Sequence, residues 1–257
     1  MIPKVIHYCW FGPGSMTELE KDCIQSWELW LPEYTFKLWN ENNFNINSYK
    51  FTEQAYRLKK YAFVSDVCRL YALYHEGGVY LDTDMVILKN IDDLLWNKCF
   101  IGREKENLIS AGIIGAEKNN SVFKFLLDKY THLQFNFDDP IDIPTYLTMN
   151  LDLSQDITVF PPEYFYPLPY GRRGEDYSRF ISKHTYAVHL WNHSWKNEKD
   201  YLHDKNFGMA LKTYFQRCRV SPEIILNDAF LFQFLKYLFA EKFSFIYKWY
   251  KKYLDEN

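Results

Sequence analysis

Asp82-Thr83-Asp84 follows the apolar run Val79-Tyr80-Leu81 directly and sets two carboxylates one residue apart. At a strand end such a pair can aim toward one divalent cation. Hard cations such as Mg²⁺ and Mn²⁺ take oxygen ligands and hold substrate phosphates through one or two carboxylates. The plain alternative is an exposed acidic turn; the preceding Gly77-Gly78-Val79-Tyr80-Leu81 favours the metal. Asp66 and Arg69, three apart in a helical stretch, share one face. Spacing alone makes them an intrahelical ion pair, worth about 0.3–0.5 kcal/mol if exposed. The functional alternative is a hydrogen-bonding pair for sugar hydroxyls, with Arg69 orienting Asp66. His189, His193, Ser194 and Trp195 form a third cluster. A strand-end imidazole can complete a coordination sphere begun by carboxylates, and Mn²⁺ accepts nitrogen more readily than Mg²⁺. Spacing alone favours a half-buried structural histidine. His7 fits that structural role, and His75 fits the C-terminal end of a helix. Trp10 suits either a nucleobase stack or the core.

These residues need elements to hold them. Residues 4–9 form a short buried strand closed by Gly12-Pro13-Gly14, a turn signal. Leu19, Cys23, Trp27 and Trp30 recur at helical spacing before Pro32. Residues 34–39 alternate as a second strand, a loop covers 40–47, and 52–75 is helical up to Gly77-Gly78. A third strand, 79–81, delivers the two aspartates. Strand, helix, strand, helix, strand predicts an α/β fold with a mostly parallel central sheet flanked by helices. Ligands in such sheets gather beyond the carboxyl ends of strands, here at Cys9-Trp10-Phe11-Gly12 and Asp82-Thr83-Asp84. Further strands are expected at 99–102, 108–114 and up to Trp191, a helix at 121–130, irregular loops over 138–174, and a helical tail from Phe207.

Composition narrows the class. The chain has 257 residues, 47% hydrophobic and 25% charged, with a formal net charge of −3. That balance suits a soluble globular protein and supplies no general attraction to nucleic acid. The opening Met1-Ile2-Pro3-Lys4-Val5-Ile6 lacks the pattern of a signal peptide. The five cysteines are widely spaced without a CxxC pair, which predicts reduced thiols in the cytoplasm.

Ile2-Pro3-Lys4-Val5-Ile6-His7-Tyr8-Cys9-Trp10-Phe11-Gly12, then Ser26-Trp27 and Trp39-Asn40, resemble the opening of glycosyltransferase family 32. Ala62-Phe63-Val64-Ser65-Asp66-Val67-Cys68-Arg69-Leu70 and Gly77-Gly78-Val79-Tyr80-Leu81-Asp82-Thr83-Asp84 resemble its sugar-binding region with the DxD motif. The likeness covers about residues 1–115 and returns at Ala187-Val188-His189-Leu190-Trp191-Asn192. Residues 117–183 and those beyond 205 match nothing in the pattern.

The resemblance implies a Rossmann-like GT-A fold in residues 1–205, with the donor half in about 1–115, the acceptor-side and closing segment in 116–205, and a helical appendage at 206–257. It implies metal-dependent, retaining sugar transfer from a nucleotide-sugar, UDP-linked, to a saccharide acceptor of capsule or lipopolysaccharide assembly. Asp82, Asp84 and His189 would hold Mn²⁺ or Mg²⁺, and Asp66, Arg69, Asp82 and Asp84 would carry the chemistry. Trp10 would stack on the base, with Phe11 and Tyr80 in the same donor region. Ser194 and Trp195 would reach the diphosphate. No carboxylate nucleophile is evident, which favours same-face attack. A phosphoryl transferase using the same aspartates, and a non-catalytic binding module on this fold, are the competing classes. Neither a P-loop nor the further carboxylates of a two-metal centre stand in the sequence. The resemblance also implies a lipid-linked acceptor at the inner face of the plasma membrane. Residues 230–254 set aromatics among lysines in a pattern suited either to a membrane interface or to packing on the protein.

Overall fold

Strands β1 (Val5–Cys9) and β2 (Thr35–Trp39) run parallel, Val5 opposite Thr35 and Cys9 opposite Trp39. A parallel pair needs a crossover, which helix α1 (Glu18–Trp30) supplies. Of its apolar residues Cys23 and Trp27 are fully buried, whereas Trp30 at its end is exposed. Strand β3 (Gly78–Leu81) lies parallel on the other side of β1, with His7 opposite Tyr80. All four residues of β3 are buried, as the continuous apolar run requires. In the computed structural model, residues 1–136, 139–152, 156–192, 198–203, 205–220 and 229–242 are described. The chain forms two compact units, Met1–Asn192 and His193–Asn257.

Beyond β3 the sheet changes direction. Strand β5 (Cys99–Lys105) and strand β6 (Leu108–Ala116) are joined through Glu106 and Asn107, with Lys105 paired to Leu108. So short a link permits only antiparallel pairing. β6 in turn lies antiparallel to β3, while strand β7 (Thr158–Phe160) lies parallel to β5. The order is β2-β1-β3-β6-β5-β7. A separate two-stranded ribbon pairs β4 (Met85–Ile87) with β8 (Ala187–His189). Successive residues face opposite sides of the sheet: Val79, Leu81 and Ile113 join one apolar cluster with Trp27 and Tyr166, whereas Tyr80 and Ile114 join the other with Val64 and Leu70.

Two expectations change. The helix expected over 52–75 is two, α2 (Lys50–Arg57) and α3 (Tyr61–Glu76). Lys59 takes a left-handed φ of 59°, and the amides of Lys59 and Lys60 donate back to the carbonyls of Tyr56 and Ala55. These are the bonds of a Schellman stop, with lysine where glycine is usual, so the sequence carries no glycine to mark it. After α4 (Ser121–Tyr130), the segment expected to be irregular over 138–174 contains α5 (Ile143–Asn150), β7 and α6 (Pro162–Phe165). The signal for α5 was present: Asp142 accepts from the Thr145 amide at 2.8 Å, and Pro144 stands in the first turn.

In the second unit, helices Glu198–His203, Phe207–Val220 and Phe230–Lys242 bury Leu202, Ala210, Tyr214, Cys218, Phe230 and Phe234 in a core of their own. Among the described residues, no helix is long and apolar enough to cross a membrane. All five cysteines are free thiols.

Candidate functional site

β1 and β3 run parallel, so Trp10 and Asp82 leave their strands at the same end of the sheet. The Asp82 amide donates to Gly112 O at 2.8 Å, and the Met85 amide donates to Asp82 O at 3.0 Å. This tight turn carries the chain from β3 into β4 and sets both aspartates on its way. Met85 pairs with His189, which brings that imidazole against Asp84. His189 Nε2 lies 3.0 Å from Asp84 Oδ1, and Asp84 Oδ2 accepts from the Asn192 amide at 2.7 Å. One ligand atom each from Asp82, Asp84 and His189 lies within 4.8 Å of the others.

Helix α1 holds this ribbon in place. Trp27 Nε1 donates to Met85 O at 2.6 Å, and Ser26 Oγ accepts from the Ile87 amide at 2.9 Å. Glu20, buried in the first turn of α1, accepts from the Thr17 amide at 2.7 Å and from the side-chain amide of Asn192. Neither Glu20 nor the Asn192 amide was assigned a role from sequence. Only the Thr17-to-Glu20 spacing of a capping box pointed at the glutamate.

Arg69 is the second centre. Its Nη2 donates to Asp66 Oδ1 at 2.9 Å, and its Nη1 donates to Ala111 O at 2.9 Å while lying 3.1 Å from Asp82 Oδ1. The Tyr80 hydroxyl donates to the same Asp82 oxygen at 3.0 Å, and the guanidinium lies 4.5 Å from the Tyr80 ring centre. The side chains of Asp66 and Arg69 are 7% and 5% exposed, so the pair is no surface ion bridge. Ala111 and Gly112 reach this point because β5 and β6 slip register between Ile101 and Gly102. A Cβ on Gly112 would come 3.3 Å from Asp82 Oδ2 and 3.2 Å from the Tyr166 hydroxyl. Gly112 and Tyr166 are further site neighbours that no sequence signal marked.

One guanidinium shared by two carboxylates leaves an acid in excess. Burial pushes the Asp66 carboxyl up to about 7, against the pull of Arg69 and with the charge of Asp82 adding to the rise. Arg69 stays charged: burial opposes it, but Asp82, Tyr80 and Asp66 hold its pKa well above the usual value. Burial also lowers the His189 pKa, yet the Asp84 charge and hydrogen bond outweigh it and raise it above the ordinary histidine value. For Asp84 burial again opposes; His189 and the Asn192 amide bring the carboxyl below its usual range.

The donor set fits a divalent cation. Two carboxylates and an imidazole suit Mn²⁺ better than Mg²⁺. The buried Nδ1 of His189 has no hydrogen-bond partner among the described residues, and Gly112 keeps the space beside Asp82 open. Trp10 is half-buried at the same edge, its ring N–H on Gly14 O at 2.6 Å. Phe11 turns its ring into the core, 5.9 Å from that of Phe44. Gly12 takes φ 87° with Tyr61 against it, where a Cβ would lie 2.4 Å from that ring. His193, Ser194 and Trp195 lie outside the described residues. His7 is structural: Trp39 Nε1 donates to Nδ1 at 3.0 Å, leaving Nε2–H for Gly77 O at 2.7 Å.

Residues 17–101 match the model for the glycosyltransferase sugar-binding region containing a DXD motif, and residues 144–219 match the α-1,4-glycosyltransferase conserved region. The first stretch holds Asp66, Arg69, Asp82 and Asp84, and the second holds His189. The second match extends the likeness into 144–183 and 206–219, parts of the stretches where the resemblance found no counterpart. The chain is 28% identical to inositol phosphoceramide mannosyltransferase 3 of Schizosaccharomyces pombe, over 60% of this chain and 44% of that one. It is 27% identical to lactosylceramide 4-alpha-galactosyltransferase of Mus musculus, over 55% and 45%. An uncharacterized glycosyltransferase, L373, of Acanthamoeba polyphaga mimivirus is 30% identical over 49% and 54%. The chain spans about half the length of these curated relatives.

Proposed function

We propose that this chain is a metal-dependent, retaining glycosyltransferase of the GT-A type that takes a sugar from a nucleotide-sugar, UDP-linked, and passes it to a saccharide acceptor. The observation that carries this is the meeting of Asp82, Asp84 and His189 at one strand end, inside and across the two matched glycosyltransferase regions. Asp84 and His189, with Asp82, would hold the cation, which when bound supplies Lewis-acid stabilisation to a leaving diphosphate. Arg69 presents Asp66 and Asp82 in fixed orientations, suited to hydroxyls of the donor sugar and its ribose. Trp10, at the neighbouring strand end, is placed for the base. With no second carboxylate assigned as nucleophile, same-face attack is the route, in which the departing phosphate oxygen accepts the acceptor's proton.

The names of two relatives specify ceramide-linked acceptors. That supports a lipid-linked saccharide as acceptor here; the setting in surface polysaccharide assembly at the cytoplasmic face of a membrane rests on the sequence resemblance. Helix Phe230–Lys242 supports the same reading. Phe230 and Phe234 are buried in their own unit, while Phe232, Leu235 and Phe239 stand 75%, 61% and 44% exposed. Their spacing puts those three on the opposite side of the helix.

The deciding experiment is a panel of UDP-, GDP- and ADP-sugars with Mn²⁺. Slow hydrolysis of one donor, abolished by chelator, is the expected result. Release of inorganic phosphate points instead to phosphoryl transfer, and binding without turnover points to a binding module.

A further inference from the structure

An open pocket of about 420 Å³ lies between the end of β5 and segment 162–180, with Glu104, Glu163, Tyr166, Tyr170 and Phe180 in its wall. Small-molecule sites commonly occupy ~300–1,000 Å³. A chain of rings ties this pocket to the cation cluster. The Tyr166 and His189 rings meet edge-on at 5.9 Å, and Tyr170 meets Trp191 at 5.7 Å. Trp191 in turn lies 4.1 Å from His189. The floor is firm, since the Tyr166 hydroxyl accepts from the Ile113 amide at 3.1 Å. Pro162, Pro167 and Pro169 restrict the backbone of the wall.

The wall's chemistry selects a ligand. The Glu104 side chain is only 12% exposed, and among the described residues its ion-pair partner is Lys105, at 3.5 Å. Its charge reaches His189. A carboxylate so enclosed binds hydroxyl donors well. Lys105 stands in the same wall, and the guanidinium groups of Arg172 and Arg173 lie 4.5 and 4.4 Å from the ring centres of Phe180 and Tyr170, so the wall carries both acceptors and donors for hydroxyls. Aromatic faces beside hydroxyl acceptors match a sugar ring, one side apolar C–H and its rim polar.

We propose that this pocket is the subsite for the acceptor saccharide, with the sugar face against Tyr170 and Phe180 and its hydroxyls on Glu104 and Glu163. That the sugar is an acceptor rests on the transferase reading above; that the pocket takes a neutral sugar does not. The specificity for the acceptor then resides in segment 162–180 and the end of β5, away from the aspartates that serve the donor.

The test uses the full chain and the methyl glycosides of glucose, galactose and mannose, followed by saturation-transfer NMR and calorimetry without donor or metal. At least one glycoside should bind the wild-type protein. Glu104→Gln and Phe180→Ala should each weaken that binding tenfold or more, with the unfolding midpoint of Glu104→Gln unchanged. If Phe180→Ala fails to fold, Glu104→Gln decides alone. Failure of all three glycosides to bind, or equal binding to Glu104→Gln, overturns the subsite. Pocket-dependent binding in a protein that hydrolyses no donor supports the sugar site and sinks the transferase reading instead. Donor hydrolysis without such binding sinks the subsite alone.

Discussion

Arg69 holds Asp66 and Asp82 with the two arms of one planar group, a geometry that a point-charge ammonium cannot copy. Arg69→Lys should therefore cost about 10²–10³-fold in donor kcat/KM, the order seen when one preorganised donor is lost. A near wild-type Lys variant would make the fork incidental. Because the pair is buried, alanine at either position should also destabilise, by about 3–5 kcal/mol when one partner is left alone. Asp66→Asn, which keeps the side chain's volume and hydrogen bonding, is therefore the cleaner probe. Asp66 also sets a pH dependence. Its carboxyl is raised from 3.8 to about 7 in the folded chain, so the native state binds more protons than the unfolded one between those values. Its contribution to stability is thus fullest below that window and is lost as pH rises through it. Thermal unfolding followed across the window should show a decline that Asp66→Asn flattens; equal slopes would contradict the raised pKa. At the cation cluster, Asp84→Ala should remove Mn²⁺ binding as read by the EPR signal of free Mn²⁺, and nearly abolish turnover. Retained binding would take Asp84 out of the ligand set.

At the scale of elements, the site depends on where backbones approach. Gly78 has φ 108°, and a Cβ there would sit 2.6 Å from Val5 O and 3.0 Å from His7 Nε2. Gly78→Ala should cost at least about 1–3 kcal/mol through backbone strain alone, displacing β3 from β1 and lowering the melting temperature; an unchanged midpoint would show that the strands can part cheaply. The sequence made β1, α1, β2 and β3 legible because each has one dominant period and a punctuating glycine or proline. It made the Asp66, Arg69 and DxD positions legible for the same reason, since all sit in or beside those elements. The break at Lys59 was not, because left-handed backbone at a lysine has no compositional mark. Nor was the slip between β5 and β6 that presents Ala111 O to Arg69, because register is a property of two strands and not of either one. Glu20 and Asn192 stayed unassigned for a similar reason: their meeting spans 172 residues, and local spacing is silent about it.

The whole molecule carries apolar surface that its own cores do not use. Substituting Phe232, Leu235 and Phe239 by serine leaves Phe230 and Phe234 in place, and so tests surface attachment without opening the second unit. The triple variant should lose sedimentation with anionic liposomes at low salt; unaltered sedimentation would place any membrane contact elsewhere. This is a sharper probe than removing everything after residue 220, which would strip Phe230 from the Tyr214 ring it stacks on at 4.6 Å. The long reach of the cluster has a temporal side. Asp84 meets its imidazole across 105 residues and the Asn192 amide across 108. Contacts so distant along the chain are slow to form, since the loop must close before they reward it. During synthesis the strands through β6 can pair while the histidine is still inside the ribosome. A stalled nascent chain ending near residue 180 should already resist protease over its first hundred residues and yet take up no Mn²⁺. Competence to bind the cation would arrive as a late event, set by the emergence of β8 and not by the collapse of the sheet.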